Sequence, residues 1–196
     1  MDQQKTELLP RPKLNRHGYV GEVISTMAFA AAIFILLQLA MPRSIVHGRS
    51  MQPSFEEGQR LVISRINYLF GQPQHGDIIV FNSPKPRTDD EPALIKRVIG
   101  IPGDLVEMID YQVYLNGQLL DEPYIKEPCT VRRCNDNSWQ LGPDEYFMMG
   151  DNRNVSNDSR AFGPVPKENI VGEVLVRFWP IQSIGIVSQY RFPGDN

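Results

Sequence analysis

The sequence predicts a mainly β protein, an antiparallel β-sheet domain that follows one N-terminal transmembrane helix. An uncharged run, VISTMAFAAAIFILLQLAM, extends from Val23 to Met41. Beyond Pro42 the texture changes to short apolar runs broken by Gly, Pro, Asn and Asp, which is how small antiparallel β domains read, and helical periodicity is scarce. Asn116-Gly117 joins two of these runs with the dipeptide favoured in a type I′ hairpin turn, where both central residues need positive φ.

The elements follow in chain order. Residues 1–22 form a charged leader, 23–41 the span and 42–196 the β-rich domain. A helix needs about 20 apolar residues to cross a hydrocarbon core of roughly 30 Å, and the Val23–Met41 run meets that length. A helix buried in a soluble core would show a polar face, and Ser25, Thr26 and Gln38 are too few to make one. A cleavable signal peptide fits poorly, because its apolar core is about 7–15 residues and its leader is short. Lys5, Arg11, Lys13 and Arg16 precede the span, whereas only Arg43 and Arg49 follow it closely. The positive-inside tendency therefore puts the N-terminus in the cytoplasm and residues 42–196 on the outer side of a cell membrane or an internal energy-transducing membrane.

Within the domain, strands are expected at Arg60–Ser64, Asp77–Asn82, Leu94–Gly100, Leu105–Ile109, Gln112–Leu115, Gln118–Leu120, Glu145–Met149 and Ile170–Phe178. Ser83–Pro92 (SPKPRTDDEP) holds no apolar residue and reads as an exposed loop. Ile66, Tyr68, Leu69 and Phe70 read as core packing, with contact to lipid as the alternative. The formal net charge of −3 offers no basic surplus for a phosphate backbone, so nucleic acid is not an expected partner. An oxidising exterior permits a disulfide between Cys129 and Cys134, but so small a ring gains only about 2 kcal/mol, and a local clip and two free thiols both stay open. A zinc site would want two further ligands, and His17, His47 and His75 all lie far from the cysteines in sequence, so neither metal nor cofactor is expected.

Several segments carry chemistry. Ser50 lies in His47-Gly48-Arg49-Ser50-Met51-Gln52-Pro53, where a glycine and a proline set an irregular backbone around a hydroxyl just beyond the span. Lys96 lies in Ala93-Leu94-Ile95-Lys96-Arg97-Val98-Ile99-Gly100-Ile101-Pro102-Gly103-Asp104. If its amine is buried, desolvation lowers its pKa from roughly 10.4 towards neutrality, and a neutral amine can take the proton that makes a serine nucleophilic. The plain alternative makes Lys96 and Arg97 two charges of a half-exposed strand, whose alternation turns one away from the other. Gly150 through Arg160 (GDNRNVSNDSR) crowds hydroxyls, amides and acid–base pairs behind an apolar strand.

These segments resemble the conserved boxes of the type I signal peptidases, the bacterial leader peptidase family. Ser50, Met51 and Pro53 match Ser-Met-x-Pro; Lys96, Arg97, Gly100, Pro102, Gly103 and Asp104 match the lysine box; Gly150 through Arg160 match the third. The resemblance implies an endopeptidase that removes signal peptides from preproteins having small residues, typically alanine, at the first and third positions before the cut. It implies that Ser50 is the nucleophile and Lys96 the general base, that Ser156 donates a hydrogen bond orienting the amine, and that Asp158 and Arg160 hold the site as an ion pair. A pairing of Arg97 with Asp151 is a further expectation. Val46 and Ile95, with Met51, would shape shallow apolar pockets. The Ser50 N–H would be the first oxyanion donor; Gly48 stands where some relatives carry a hydroxyl, so the second donor is open. Ser54-Phe55 also departs from the Thr-Leu of many relatives.

The lipid bilayer is the other expected partner, and nothing in the sequence fixes an oligomeric state. A self-cleaving repressor protease shares the serine–lysine chemistry but has DNA-binding helices where this chain has an apolar run. A silent β module would need a cause for inactivity with every catalytic side chain present. A histidine-dependent hydrolase lacks partnering motifs around His47 and His75, and His17 falls across the membrane.

Overall fold

A computed structural model describes residues 16–192, except 87 and 89–91. Lys5, Arg11 and Lys13, on which much of the charge asymmetry rests, lie outside the described residues. The chain divides into two compact units at Leu39 and Ala40.

The first unit is a helix, α1, Arg16–Ala40. Its stretch Tyr19–Ala40, 22 residues, is long and apolar enough to cross a membrane, and at 1.5 Å per residue it reaches about 33 Å. The helix begins before the expected start at Val23, because Glu22 and its neighbours keep the backbone helical; Thr26 Oγ1 donates to the Glu22 carbonyl at 2.8 Å. It stops at Ala40, one residue before the position that Pro42 forces out of the helical region.

The second unit is built from antiparallel strands. In chain order these are β1 (Arg43–Ile45), β2 (Arg60–Ser64), β3 (Ile78–Phe81), β4 (Leu94–Gly100), β5 (Leu105–Ile109), β6 (Gln112–Leu115), β7 (Gln118–Leu119), β8 (Asn137–Gln140), β9 (Glu145–Met149), β10 (Val165–Pro166), β11 (Ile170–Trp179) and β12 (Gly185–Ile186). An 8-stranded sheet runs β1-β2-β11-β3-β4-β9-β10, with β12 beside β11, and a 4-stranded sheet runs β7-β6-β5-β8. Two short helices, α2 (Asn67–Phe70) and α3 (Ser159–Phe162), punctuate the loops.

The strand β3 shows why the sheet sits where it does. Its sequence IIVF has no polar face, and Ile78 and Val80 enter one core cluster with Met51 and Ile95, while Ile79 and Phe81 enter another with Val98 and Tyr146. Both faces of the central strands are covered, so they read as continuous apolar runs. A third cluster, around Ile99, Val106, Phe147 and Met149, joins the two sheets and includes Cys129 and Cys134, which are disulfide-bonded. The clip thus forms, and its sulfurs are core atoms.

The expected strands are present within a residue or so at their ends, and the Asn116-Gly117 turn has φ of 51° and 78°. Among residues 83–92, those described form neither strand nor helix. The strand β8 was not expected, because NSWQ is polar; its backbone pairing with β5 decides its conformation. The core reading of the Ile66–Phe70 segment is corrected for Ile66, Leu69 and Phe70, which are 44%, 73% and 90% exposed. Only Tyr68 turns inward, donating its hydroxyl to Asp77 Oδ2 at 2.9 Å.

Candidate active site

Ser50 sits in the loop between β1 and β2. The loop turns sharply: Gln52 N donates to the Arg49 carbonyl at 3.3 Å and Phe55 N to the Met51 carbonyl at 2.9 Å. Gly48 enters the turn at φ 75°, a conformation that costs a residue with a Cβ. Met51 and Phe55 are buried in the core, which anchors the loop and leaves Ser50 partly exposed beside it.

Lys96 comes from the middle of β4, opposite Ile79 of β3. Its side chain is 2% exposed, and Nζ lies 2.9 Å from Ser50 Oγ and 2.8 Å from the Ile95 carbonyl. Burial lowers the amine to about 8, against the upward pull of Asp158 and Asp151; Arg160 adds to the lowering.

The half-exposed reading of Lys96 and Arg97 fails, since both are buried. Alternation does send them to different partners, and Arg97 is matched by a carboxylate. Its Nε and Nη2 donate to Asp151 Oδ1 and Oδ2 at 2.9 and 2.7 Å, the expected pairing. Nη1 donates to the Gly76 carbonyl, and the guanidinium stacks 4.1 Å from the Tyr124 ring. Ser54 Oγ donates to Asp151 Oδ2 at 2.5 Å, tying the serine loop to the same carboxylate.

The segment after β9 closes the site from behind. Asp158 caps α3 and receives Arg160 Nε at 2.8 Å and Nη2 at 2.7 Å, a fully buried two-point pair, and it also accepts the Gly150 N–H at 3.0 Å. Burial pushes the Asp158 carboxyl up, but Arg160 and the Gly150 N–H outweigh this and hold it below its ordinary value. Arg160 Nη1 donates to Cys134 Sγ at 2.7 Å, so the disulfide braces the guanidinium.

The expected bond from Ser156 to the amine is corrected: Ser156 Oγ is buried and completes no hydrogen bond among the described residues. It packs over Gly150, on the side where it helps keep Asp158 ionised without reaching bonding geometry. Val46, Met51 and Ile95 fall together in one buried cluster, and Met51 and Ile95 are the chain neighbours of Ser50 and Lys96. The sequence assigns no individual role to Asn152, Arg153 or Glu122. Arg153 holds the Gly150 carbonyl through Nε at 3.1 Å and pairs with Glu122 at 2.5 and 2.7 Å. Glu122 lies outside the motifs, in Asp121-Glu122-Pro123, and no sequence signal links it to them.

This set of a buried, lowered amine against a serine hydroxyl is suited to nucleophilic acyl transfer. The profile of the family described as signal peptidase, peptidase S26, matches residues 20–179. The chain belongs to this family. A signal peptidase I of Leptolyngbya laminosa is 40% identical over 149 residues, covering 71% of this chain and 70% of that protein. A probable signal peptidase I-1 of Synechocystis sp. is 40% identical over 180 residues, covering 89% and 90%. A crystal structure of a signal peptidase I from Enterococcus faecalis V583 is 33% identical, covering 52% of this chain and 96% of that one, with a TM-score of 0.44. The stretch matched to the signal peptidase family contains Ser50, Lys96 and the whole Gly150–Arg160 segment.

Proposed function

We propose that this chain is a membrane-anchored serine endopeptidase that removes N-terminal signal peptides from exported preproteins, with Ser50 as nucleophile and Lys96 as general base. The observation that carries the reading is the 2.9 Å contact between Lys96 Nζ and Ser50 Oγ, with the amine buried and lowered to about 8.

Ser50 Oγ attacks the scissile carbonyl while its proton passes to Lys96. The tetrahedral intermediate collapses, the C–N bond breaks, and Lys96 returns the proton to the leaving amine of the mature protein. Lys96 then takes a proton from water, whose oxygen attacks the ester, and Ser50 is regenerated as the signal peptide leaves with a free carboxylate. The lysine carries the role that histidine has in a triad. The Ser50 N–H is the first donor to the oxyanion, and loss of such a donor costs roughly 3–4 kcal/mol.

Substrate binding follows from an unused edge. β4 pairs with β9 only from Arg97 onward, so among the described residues Leu94–Lys96 have no ladder partner on that side. An extended peptide can add there as a strand, its main chain supplying binding. Val46, Met51 and Ile95 are almost wholly buried and so offer little apolar surface to a bound side chain, which supports selection of small residues. The apolar α1 and the exposed Leu69 and Phe70 support membrane anchoring. With residues 1–22 cytoplasmic and 42–196 outside, preproteins tethered in the same bilayer meet the site at raised effective concentration.

The test uses the full chain in detergent and a model preprotein with alanine at the first and third positions before the cut. Cleavage there is expected, with Ser50→Ala inert yet folded; processing by Ser50→Ala at the wild-type rate sinks the reading. The pH profile is a separate expectation. Only the neutral amine accepts a proton, so kcat/KM should rise about tenfold per pH unit below the Lys96 value and level off above it, that is, above about 8. A rate that falls as pH climbs through 8 would show the ammonium to be the working form.

A further inference from the structure

We propose that Asn152 is a positioning residue that aims the Ser50 N–H at the oxyanion; this rests on the peptidase reading above. In a trans peptide the carbonyl and the following N–H point in opposite directions. The cis bonds among the described residues are Gln52-Pro53 and Trp179-Pro180, so the Arg49–Ser50 peptide is trans. Fixing the Arg49 carbonyl therefore fixes the direction of the Ser50 N–H.

Asn152 does this fixing from both sides. Its Nδ2 donates to the Arg49 carbonyl at 3.1 Å, and its backbone N–H donates to the Ser50 carbonyl at 3.0 Å. The peptides before and after the nucleophile are thus held by one residue, with the Gln52 N–H as a longer second donor to Arg49 at 3.3 Å. Because a carbonyl oxygen needs a donor, the amide nitrogen is the end that faces Arg49. Among the described residues the Ser50 N–H donates to no acceptor, as a group reserved for a ligand oxygen would.

Asn152 is itself held in place. It is 3% exposed, its carbonyl accepts Ser156 N at 3.1 Å, and it follows Asp151, which Arg97 grips at two points. Its Oδ1 is buried with no hydrogen-bond partner among the described residues, so the side chain's hydrogen bonding rests on the Nδ2 end that holds Arg49. Gly48 raises the stakes: it has no side chain to add a hydroxyl to the hole, and space around a Cβ there is empty to 4 Å. Stabilisation of the oxyanion then depends more heavily on how the Ser50 N–H is aimed.

The experiment compares Asn152→Ala and the isosteric Asn152→Asp with wild type in the full chain, reading preprotein cleavage and binding of a substrate-like peptide boronate, which forms a tetrahedral adduct on the serine oxygen. Both variants keep the backbone N–H to Ser50 but lose the donor to Arg49. A fall in kcat of about tenfold to hundredfold is expected, below the full loss of an oxyanion donor, with KM within about twofold. Boronate affinity should fall in step with kcat, and the rise of kcat/KM centred at about 8 should not move in Asn152→Ala. Unchanged kcat and boronate affinity in a folded variant overturn the assignment. So does a raised KM with unchanged kcat, which marks a substrate contact, or a shift of the Lys96 limb together with kcat, which marks collapse of the loop. If Asn152→Ala does not fold, Asn152→Asp, equal in shape, gives the kcat, KM and boronate readouts, and its pH limb is left out of the comparison because a new carboxylate itself raises the Lys96 amine. A wild-type chain that neither cleaves nor binds boronate sinks the peptidase reading itself, whereas an active wild type with indifferent Asn152 variants sinks this inference alone.

Discussion

Lys96→Met should leave a folded protein that has lost preprotein cleavage by a factor on the order of 10⁶ in kcat, the scale on which removal of a serine protease's nucleophile or base acts. The thioether fills the volume of the lysine stem but accepts no proton from Ser50, which is 2.9 Å from the amine it replaces. Stability should move the other way. The amine lies at about 8 in the fold against 10.5 when free, so the unfolded chain keeps this proton to higher pH than the folded one. Stability therefore rises as pH climbs from 8 to 10.5, and the whole cost, roughly 3 kcal/mol at 1.36 kcal/mol per unit, is borne below pH 8. Methionine carries no charge to bury. After the loss of the contacts to Ser50 and the Ile95 carbonyl, Lys96→Met should still be about 1–3 kcal/mol more stable than wild type at pH 7. That margin should close as pH passes from 8 to 10.5. Denaturant unfolding at several pH values checks the slope, and a margin indifferent to pH would mean that the amine is solvated.

Much of this was legible because the fold repeats local rules. The apolar run that became α1, the IIVF run of β3 and the Asn-Gly turn each declare themselves through composition and φ preference. The motifs could be found as strings, but their meeting could not. Ser50 belongs to a loop at the β1–β2 edge and Lys96 to a strand inside the sheet, with β11 and β3 between those strands; the loop reaches across to Lys96 and is held there by Asn152, which donates to the Arg49 and Ser50 carbonyls. Alternation misled at Arg97: it assumes one solvated face, whereas β4 is covered on both, and a buried arginine there is tolerable because Asp151 meets it at two points. No local pattern marks Glu122, because its partner Arg153 is distant in sequence and its own surroundings are ordinary. Leu69 and Phe70 misled in the opposite sense, since apolar residues on a four-residue helix need not find a core.

Gly150→Ala should lower kcat by at least about 100-fold, the penalty for a misplacement of about 1 Å near the chemistry. A Cβ built on Gly150 would lie 2.3 Å from Ser156 Oγ, 2.7 Å from Ser156 Cβ and 2.5 Å from the Ser50 carbonyl oxygen. Gly150 cannot retreat, because its N–H is held by Asp158 at 3.0 Å and its carbonyl by Arg153 at 3.1 Å. The strain must pass to Ser156 or to the main chain of Ser50, and the latter carries both the hydroxyl facing Lys96 and the N–H proposed to meet the oxyanion. Overpacking of this kind also costs about 1–3 kcal/mol of stability. Gly185→Ala is the matched control, since a Cβ there meets nothing within 4 Å. Adding Ser156→Gly to Gly150→Ala separates the routes: it removes the clash with the hydroxyl and leaves the one with the Ser50 carbonyl. Activity should stay low in the double variant if the nucleophile's backbone takes the strain, as the 2.5 Å approach to a bonded carbonyl requires. Near wild-type kcat in Gly150→Ala alone would mean that the loop has slack and that the close contact between Gly150 and Ser50 does not fix the nucleophile.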